Sequence, residues 1–487
     1  MRQDSEKRVV PLPRSVRLSG EGVYVLRDGC PLEIGVPCEA EEARRLVERV
    51  CDGYWGIRPR VTMVEGGAEV APEGYRLSCG AAGCRVAASG LAGVRNALRT
   101  LRQLAEAERG VLKASCWEVP AVEVEDAPAL AFRGLHLCMF PEHELWETER
   151  RLRLAAYYKF NYVVIESWGV IRLGSHPEFC WEERSVDKAE IRRLVELARE
   201  LGVTLIPQFN IFGHATQARS GTGKHVLLDR HPEYASLFEP DGWSWCLSNP
   251  ATRRYLEDII GELHELFGRP PFFHVGCDEA YNAGSCRLCA QDFPRRLKEH
   301  LLHFRQFLAE RGSRMMMWHD MLLCVEDPRW KGYIVCGHER DGLQDLYREL
   351  PRDIVICDWQ YDYPERDGKA PDWPTVRFFH EQGMDVMPCP WLNRRGTLSL
   401  GRLADELRLR GLLMTTWHGH ENSFRHTSMY VYGALAAWNP QATMPEAFVN
   451  EYLNRHVREI GHDMGLTRYE QFGTAHYQVS PDSCQGM

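Results

Sequence analysis

From Phe132 to about Trp417 the sequence repeats one alternation: a short β-rich run, a loop and, in most cases, an amphipathic helix. Parallel strands must be joined by crossovers, and helices are the crossovers that can cover a sheet face. Eight such runs follow one another: FRGLHL, YVVIE, TLIPQFN, FFHVGCDE, RMMMWHD, IVICDW, DVMPCPW and GLLMTTW. Eight βα units close into a barrel more readily than they spread into an open sheet, so a (β/α)8 TIM barrel of the α/β class is expected. Two crossover helices show boundary chemistry. Asp187 with Glu190 reads as a capping box for a helix that stops at Gly202, and Asn249–Pro250 offers an N-cap with proline at the first helical position.

The barrel does not use the whole chain. Through about residue 126 the pattern mixes short β-like runs with Gly-rich turns and one clear helix, in which Val94, Ala97, Leu98, Leu101 and Leu104 share a face. That describes a small α+β domain, and EVEDAPALA reads as its connector. The expected organisation is therefore an N-terminal α+β accessory domain (1–126), a catalytic barrel (127–440) and a C-terminal helical extension (441–487).

Charge and composition narrow the partners. The net charge of −9 comes from interspersed acids and bases, with no basic stripe to neutralise a phosphate backbone, so nucleic acid is not an expected partner. The N-terminus has no apolar core of a signal peptide, and no stretch approaches the roughly 18 apolar residues of a membrane span. No membrane association and a cytoplasmic location are expected. Seventeen cysteines, an odd number with several inside apolar runs (Cys138, Cys357, Cys389), fit a reducing compartment better than a disulfide scaffold. A monomer or a homodimer is expected.

In such a barrel the chemistry collects at the C-terminal ends of the strands. In order, those ends carry Glu166; Asn210 with His214; Asp278 with Glu279; Trp318 with Asp320; Trp359 with Tyr361; Trp391; and Trp417. Tryptophans can simply cap a barrel core, but together these suggest aromatic walls suited to the C–H faces of a sugar, whose hydroxyls need polar partners. Asp278 and Glu279 are adjacent carboxylates after an apolar strand. In an aromatic cavity they cannot both ionise cheaply, so one is pushed toward the protonated form of a general acid. On a surface the same pair would be merely solvated.

At these residues the chain resembles the family 20 glycoside hydrolases, the β-N-acetylhexosaminidases. The family's His-x-Gly-x-Asp-Glu motif is met by His274, Gly276, Asp278 and Glu279. Arg133–Gly134 opening strand one, Gly213–His214 after strand three and the run from Gly93 to Leu104 extend the resemblance. It implies a retaining exo-hydrolase acting on an oligosaccharide or glycoconjugate with a terminal β-linked GlcNAc or GalNAc, without a cofactor. The substrate's 2-acetamido oxygen would attack the anomeric carbon and form an oxazolinium. By motif position Glu279 is the acid–base and Asp278 holds the acetamido N–H, with His214 supporting them. Trp318, Trp359 and Trp417 would wall the acetamido pocket, and Tyr361 would orient the acetamido oxygen.

The sequence also departs from the family pattern. The arginine usual after the strand-one Arg-Gly pair is replaced by CMFPEHE, with Pro141 near that place, the His-x-x-Asp segment after strand two by VVIESWG, and the strand-three acids by Gln208 and Asn210. This motif style resembles the hexosaminidase D branch, which makes Glu166, and with it Glu142, candidates for binding O3, O4 or O6. A structural Glu166 bonded to nearby backbone is the alternative. Glu421 is either a sugar contact or a solvated loop acid.

Three further signals are weaker. Cys277 with Cys286-x-x-Cys289 could suggest zinc, but a fourth ligand is sought only among His300 and His303, so free thiols and no metal are expected. His418 and His420 could belong to a metal-dependent amidohydrolase, for which strand one offers only His136 with Cys138. Met315 to Met317 read as barrel packing. A catalytically impaired carbohydrate-binding barrel is the other alternative, motivated by the missing arginine.

Overall fold

The computed structural model describes residues 9–37, 39–107, 116–141, 143–215, 226–362, 370–417, 424–444 and 449. The chain divides into two compact units: Met1–Arg133 with Arg153–Phe160 and Asn422–Met487, and Gly134–Leu152 with Asn161–Glu421. Most of the expected C-terminal extension, 441–487, lies outside the described residues.

The first unit is the expected α+β fold. Its strands are β1 (Ser15–Arg27), β2 (Pro31–Gly35), β3 (Arg60–Val64), β4 (Tyr75–Gly80), β5 (Gly83–Ala88), β6 (Glu106–Ala107) and β7 (Cys116–Asp126), in the order β1-β7-β4-β5-β2-β3 with β6 on β7. Helices α1 (Ala40–Glu48) and α2 (Leu91–Leu104) bury their apolar stripes against it, and Val94, Ala97, Leu98, Leu101 and Leu104 all enter the core. One ion pair is fully buried there: Lys159 Nζ lies 3.1 Å from Asp126 Oδ2. Desolvating two charges is costly, and Asp126 offsets it by also accepting from Tyr75 Oη–H (2.8 Å) and Trp438 Nε1–H (2.8 Å). Arg133, from the strand-one Arg-Gly pair, is likewise buried and donates to Glu73 and to the Leu130 carbonyl.

The second unit holds the barrel. Strands β8 (Phe132–Met139), β9 (Tyr162–Ser167), β10 (Thr204–Gln208), β11 (Phe272–His274), β12 (Arg314–Trp318), β13 (Val355–Asp358), β14 (Asp385–Pro388) and β15 (Gly411–Met414) form one eight-stranded sheet, and they coincide with the eight runs read from the sequence. Nearly every strand residue is buried, because one face meets the barrel interior and the other the helices, which explains the near-continuous apolar runs. Met315, Met316 and Met317 are buried as barrel packing.

The crossovers are α3 (Leu145–Tyr157), α4 (Lys188–Glu200), α5 (Pro250–Leu266), α6 (Phe293–Ala309), α7 (Leu346–Glu349), α8 (Pro374–Glu381) and α9 (Arg394–Glu406); α10 (Phe424–Trp438) follows β15. At the start of α4 the Glu190 carboxylate accepts from the Asp187 N–H at 3.1 Å, and at α5 the Asn249 side chain accepts from Ala251 N–H at 2.9 Å. Both caps are as expected. No described helix is long and apolar enough to cross a membrane.

The ring of strands runs β14-β13-β12-β11-β10-β9-β8-β15, leaving a seam between β14 and β15. Pro388 and Pro390 in DVMPCPW have no N–H to donate, so a regular ladder cannot form there. The seam is closed by the Thr415 N–H and hydroxyl, which both donate to the Pro390 carbonyl (3.0 and 2.9 Å).

Candidate active site

The site is built around the turn after β11, which leaves regular strand geometry at once. Gly276, Cys277 and Glu279 take φ values of 64°, 79° and 49°, and His214 on the facing loop takes 52°. Positive φ at non-glycine residues costs energy that the surroundings must offset, and such residues gather at functional sites. The two motif glycines have separate reasons. A Cβ on Gly276 would lie 1.9 Å from Asn210 Oδ1, and one on Gly213 would lie 1.9 Å from the Asp278 carbonyl oxygen. Gly213 thus lets the His214 loop come against the turn. His274 Nδ1 accepts the Gly276 N–H at 3.1 Å, and burial lowers the ring's pKa well below the usual range, so it sits neutral with its proton on Nε2. Gly276→Ala is expected to destabilise the protein by about 1–3 kcal/mol, read as a lowered denaturant midpoint, because strain adds to the collision with Asn210.

The turn presents both carboxyls to a cavity of about 240 Å³ at the C-terminal mouth of the barrel. His214 Nε2 stands 3.5 Å from Asp278 Oδ2 and 3.3 Å from Glu279 Oε2, so one ring nitrogen serves both acids. Glu279 is held from several directions. Tyr281 donates its hydroxyl to Oε1 (2.7 Å), Trp243 Nε1–H donates to the Glu279 carbonyl (2.6 Å), and the Glu279 N–H donates to Asp320 Oδ2 (2.9 Å). Asp320 also accepts from Trp359 Nε1–H (2.9 Å), so one buried carboxylate fixes both the Asp278–Glu279 turn and an aromatic wall. Asp278 Oδ1 is buried and has no hydrogen-bond partner among the described residues.

Electrostatics separates the pair. Burial, with Asp320 and Glu166 nearby and His214 opposing, pushes Asp278 up to about 6. Burial also acts to raise Glu279, but hydrogen bonds from His214 and Tyr281 outweigh it and hold that carboxyl below its ordinary value. His214 is raised well above the usual range: burial opposes its charge, and Asp278 and Glu279 more than compensate. Below about pH 6, with the cavity solvated, a proton held by the pair therefore sits on Asp278 and not on Glu279.

The model of glycosyl hydrolase family 20, catalytic domain, matches residues 178–369, and that of the same family's domain 2 matches residues 6–127. The chain belongs to glycosyl hydrolase family 20. A β-hexosaminidase of Vibrio furnissii is 26% identical over 363 residues, 64% of this chain and 57% of that protein. One from Porphyromonas gingivalis is 24% identical over 280 residues, 51% of this chain and 36% of that protein. The chain thus spans little more than half, or less, of these curated relatives. Among solved structures, the family 20 exo-β-N-acetylglucosaminidase of Vibrio harveyi in complex with N-acetylglucosamine superposes with a TM-score of 0.71 at 15% identity, covering 95% of this chain and 78% of that one. The Streptomyces plicatus N-acetyl-β-hexosaminidase in complex with Thio-NAglucal gives 0.67 at 19% identity, covering 95% and 97%. Identities this low establish a shared fold.

In this family 20 barrel, Glu166, His214, Asp278, Glu279, Trp359, Tyr361, Trp391 and Trp417 all line the one cavity. Tyr361 lies between Trp359 and Trp391, with ring centroids 5.3 and 5.2 Å away. Two expected lining residues do not reach the cavity. Trp318 is fully buried beneath Trp417 (5.2 Å) and against His274 (4.3 Å), because it is still within β12 and points into the barrel; it backs the wall without forming it. Asn210 is also fully buried and donates to Glu166 Oε1 (3.1 Å), so it orients that carboxylate from below.

The Glu166 carboxylate lines the cavity and, among the described residues, is engaged by side chains, Asn210 and the Cys138 thiol (3.6 Å to Oε2), and not by the backbone bond expected of a structural role; His136 Nε2 lies 3.2 Å away. Sequence reasoning missed Phe140 and Trp168, which complete the lining, and the contacts of Trp243 and Tyr281 to Glu279. Phe140 and Trp168 sit in the very segments read as departures, CMFPEHE and VVIESWG, so their place at strand ends was the available signal. No arginine lines the cavity among the described residues. Glu142, His418, His420 and Glu421 lie outside them.

Proposed function

We propose that the protein is a retaining exo-β-N-acetylhexosaminidase that removes terminal β-linked GlcNAc or GalNAc by substrate-assisted catalysis. The observation that carries this reading is the buried Oδ1 of Asp278, without a donor among the described residues, in an aromatic-walled cavity beside Glu279. A carboxylate oxygen without a donor matches an amide N–H, and the indole faces match the methyl and ring C–H groups of an N-acetylated sugar. The cavity is smaller than the roughly 300–1,000 Å³ of drug-sized sites, which supports one terminal sugar. His214 contacts both acids from one atom, so they act as one supported pair, and in the family 20 scheme the attacking oxygen comes from the substrate.

The steps follow from these positions. Asp278 accepts the acetamido N–H, and the Tyr361 hydroxyl orients the acetamido oxygen. That oxygen bonds to C1 as the C1–O bond to the leaving group breaks, and Glu279 gives its proton to the departing oxygen. Water then attacks C1, its proton returns to Glu279, and the oxazolinium opens to the retained sugar. Substrate also moves the proton where it is needed. An N–H on Asp278 favours its ionised form, and displacing water from the partly exposed Glu279 side chain (30%) favours its neutral form.

The active count is thus one proton on the pair, the count held below the Asp278 value of about 6. Above that pH the proton is lost, so kcat/KM is expected to fall about tenfold per pH unit there, and pH–rate profiles check this. A panel of aryl β-glycosides tests the function: turnover of N-acetylated gluco or galacto sugars with inhibition by a thiazoline supports it, and turnover of non-acetylated sugars with indifference to the thiazoline refutes it. Tight binding without product release would favour the carbohydrate-binding alternative. The absent arginine supports tolerance of GalNAc, and the strand-two Glu166 supports a hexosaminidase D type of enzyme. A cytoplasmic site of action belongs to the same reading, supported by the described cysteines forming no disulfide. Cell fractionation checks it.

A further inference from the structure

Three cysteines and a glutamate come together outside the catalytic cavity. Cys246, Cys286, Cys289 and Glu239 each offer a ligand atom, and these atoms all lie within 4.8 Å of one another. Cys246 Sγ is 3.8 Å from Cys286 Sγ and 3.9 Å from Cys289 Sγ. Thiolates about 2.3 Å from a tetrahedral zinc are about 3.8 Å from each other, so the spacing is that of a coordination edge, far longer than a disulfide. The Cys289 N–H donates to Cys286 Sγ (3.3 Å), an arrangement that stabilises a thiolate.

The second, independent observation is Glu239, which is 1% exposed. Its Oε2 accepts from the Cys286 N–H (2.6 Å) and the Ser285 hydroxyl (3.2 Å), whereas Oε1 is buried with no hydrogen-bond partner among the described residues. A buried carboxylate oxygen beside three thiols calls for a cation. Cys277, grouped with Cys286-x-x-Cys289 on sequence grounds, is not part of the cluster: its thiol points at the Val275 carbonyl (3.5 Å). His300 does not supply the fourth ligand either, because its Nε2 bonds the Ile211 carbonyl (2.9 Å).

We propose that Cys246, Cys286, Cys289 and Glu239 bind one structural zinc ion. Soft thiolates in tetrahedral array select zinc, and four protein ligands close the site to substrate. The ion ties the chain around Trp243 to the chain after Glu279, where Asn282 donates to Asp241 (2.8 Å) and Trp243 stacks over Tyr281 (6.5 Å). The inference is independent of the glycosidase reading.

Metal analysis of the full chain, purified without added metal or chelating resin, tests it. About one zinc per chain is expected, retained through dialysis against EDTA and released by a mercurial that titrates thiols. X-ray absorption is expected to give about three sulfurs near 2.3 Å and one oxygen near 2.0–2.2 Å. Cys289→Ser should lose most of the zinc and several degrees of Tm, while Cys116→Ser, which is not a member of the cluster, should keep both. Zinc-free protein from zinc-supplemented cells, a disulfide among these cysteines, or full zinc in Cys289→Ser would each overturn the proposal. Should Cys289→Ser fail to fold, the wild-type stoichiometry and absorption spectrum still decide.

Discussion

Glu279→Gln is expected to keep its fold and lose about 10²- to 10⁴-fold in kcat on an aryl β-N-acetylhexosaminide, the range for removing a general acid–base. Glutamine preserves volume and its oxygen can still accept from Tyr281 or from His214, so KM and Tm should change little. The loss should be largest for leaving groups of high pKa, which need the proton most, and smallest for nitrophenol. Steady-state kinetics across a leaving-group series, with circular dichroism to confirm folding, makes the measurement. Unaltered kcat on an alkyl aglycone would remove Glu279 from the chemistry.

Asp278→Asn should be nearly as damaging, for a different reason. Asparagine can still accept an amide N–H through its oxygen, so substrate binding survives. It cannot answer the positive charge that grows on the acetamido nitrogen, and losing such preorganised stabilisation costs about 10²- to 10³-fold in kcat. The thiazoline mimic should weaken by a similar factor, since it resembles the charged intermediate. The variant should also lose the fall in kcat/KM near pH 6, because the group pushed up to about 6 is gone. A loss of ground-state affinity with kcat unchanged would instead mark Asp278 as a simple binding residue.

Barrel strands were legible because their period and burial are local properties: each run is apolar on both faces and bounded by a polar or aromatic end. The turn that bears Asp278 and Glu279 was legible for the same reason, since His274 to Glu279 are contiguous in sequence. Depth was not legible. Trp318 and Trp359 both follow apolar runs, but Trp318 remains inside β12 while Trp359 lies one residue past β13 and turns into the cavity. Contacts that depend on long loops were also hidden. Trp243 reaches Glu279 across 36 positions, and Cys246 reaches Cys289 across 43, so no spacing rule could pair them.

The break between β14 and β15 has one more consequence. Trp391 and Trp417 follow directly on those two strands and stand on opposite banks of the break. Elsewhere the rim rests on paired backbones, which resist being spread apart. Here, among the described residues, two indoles stand beside a joint closed through Thr415, so this flank is the one expected to yield first when the pocket is pressed from within.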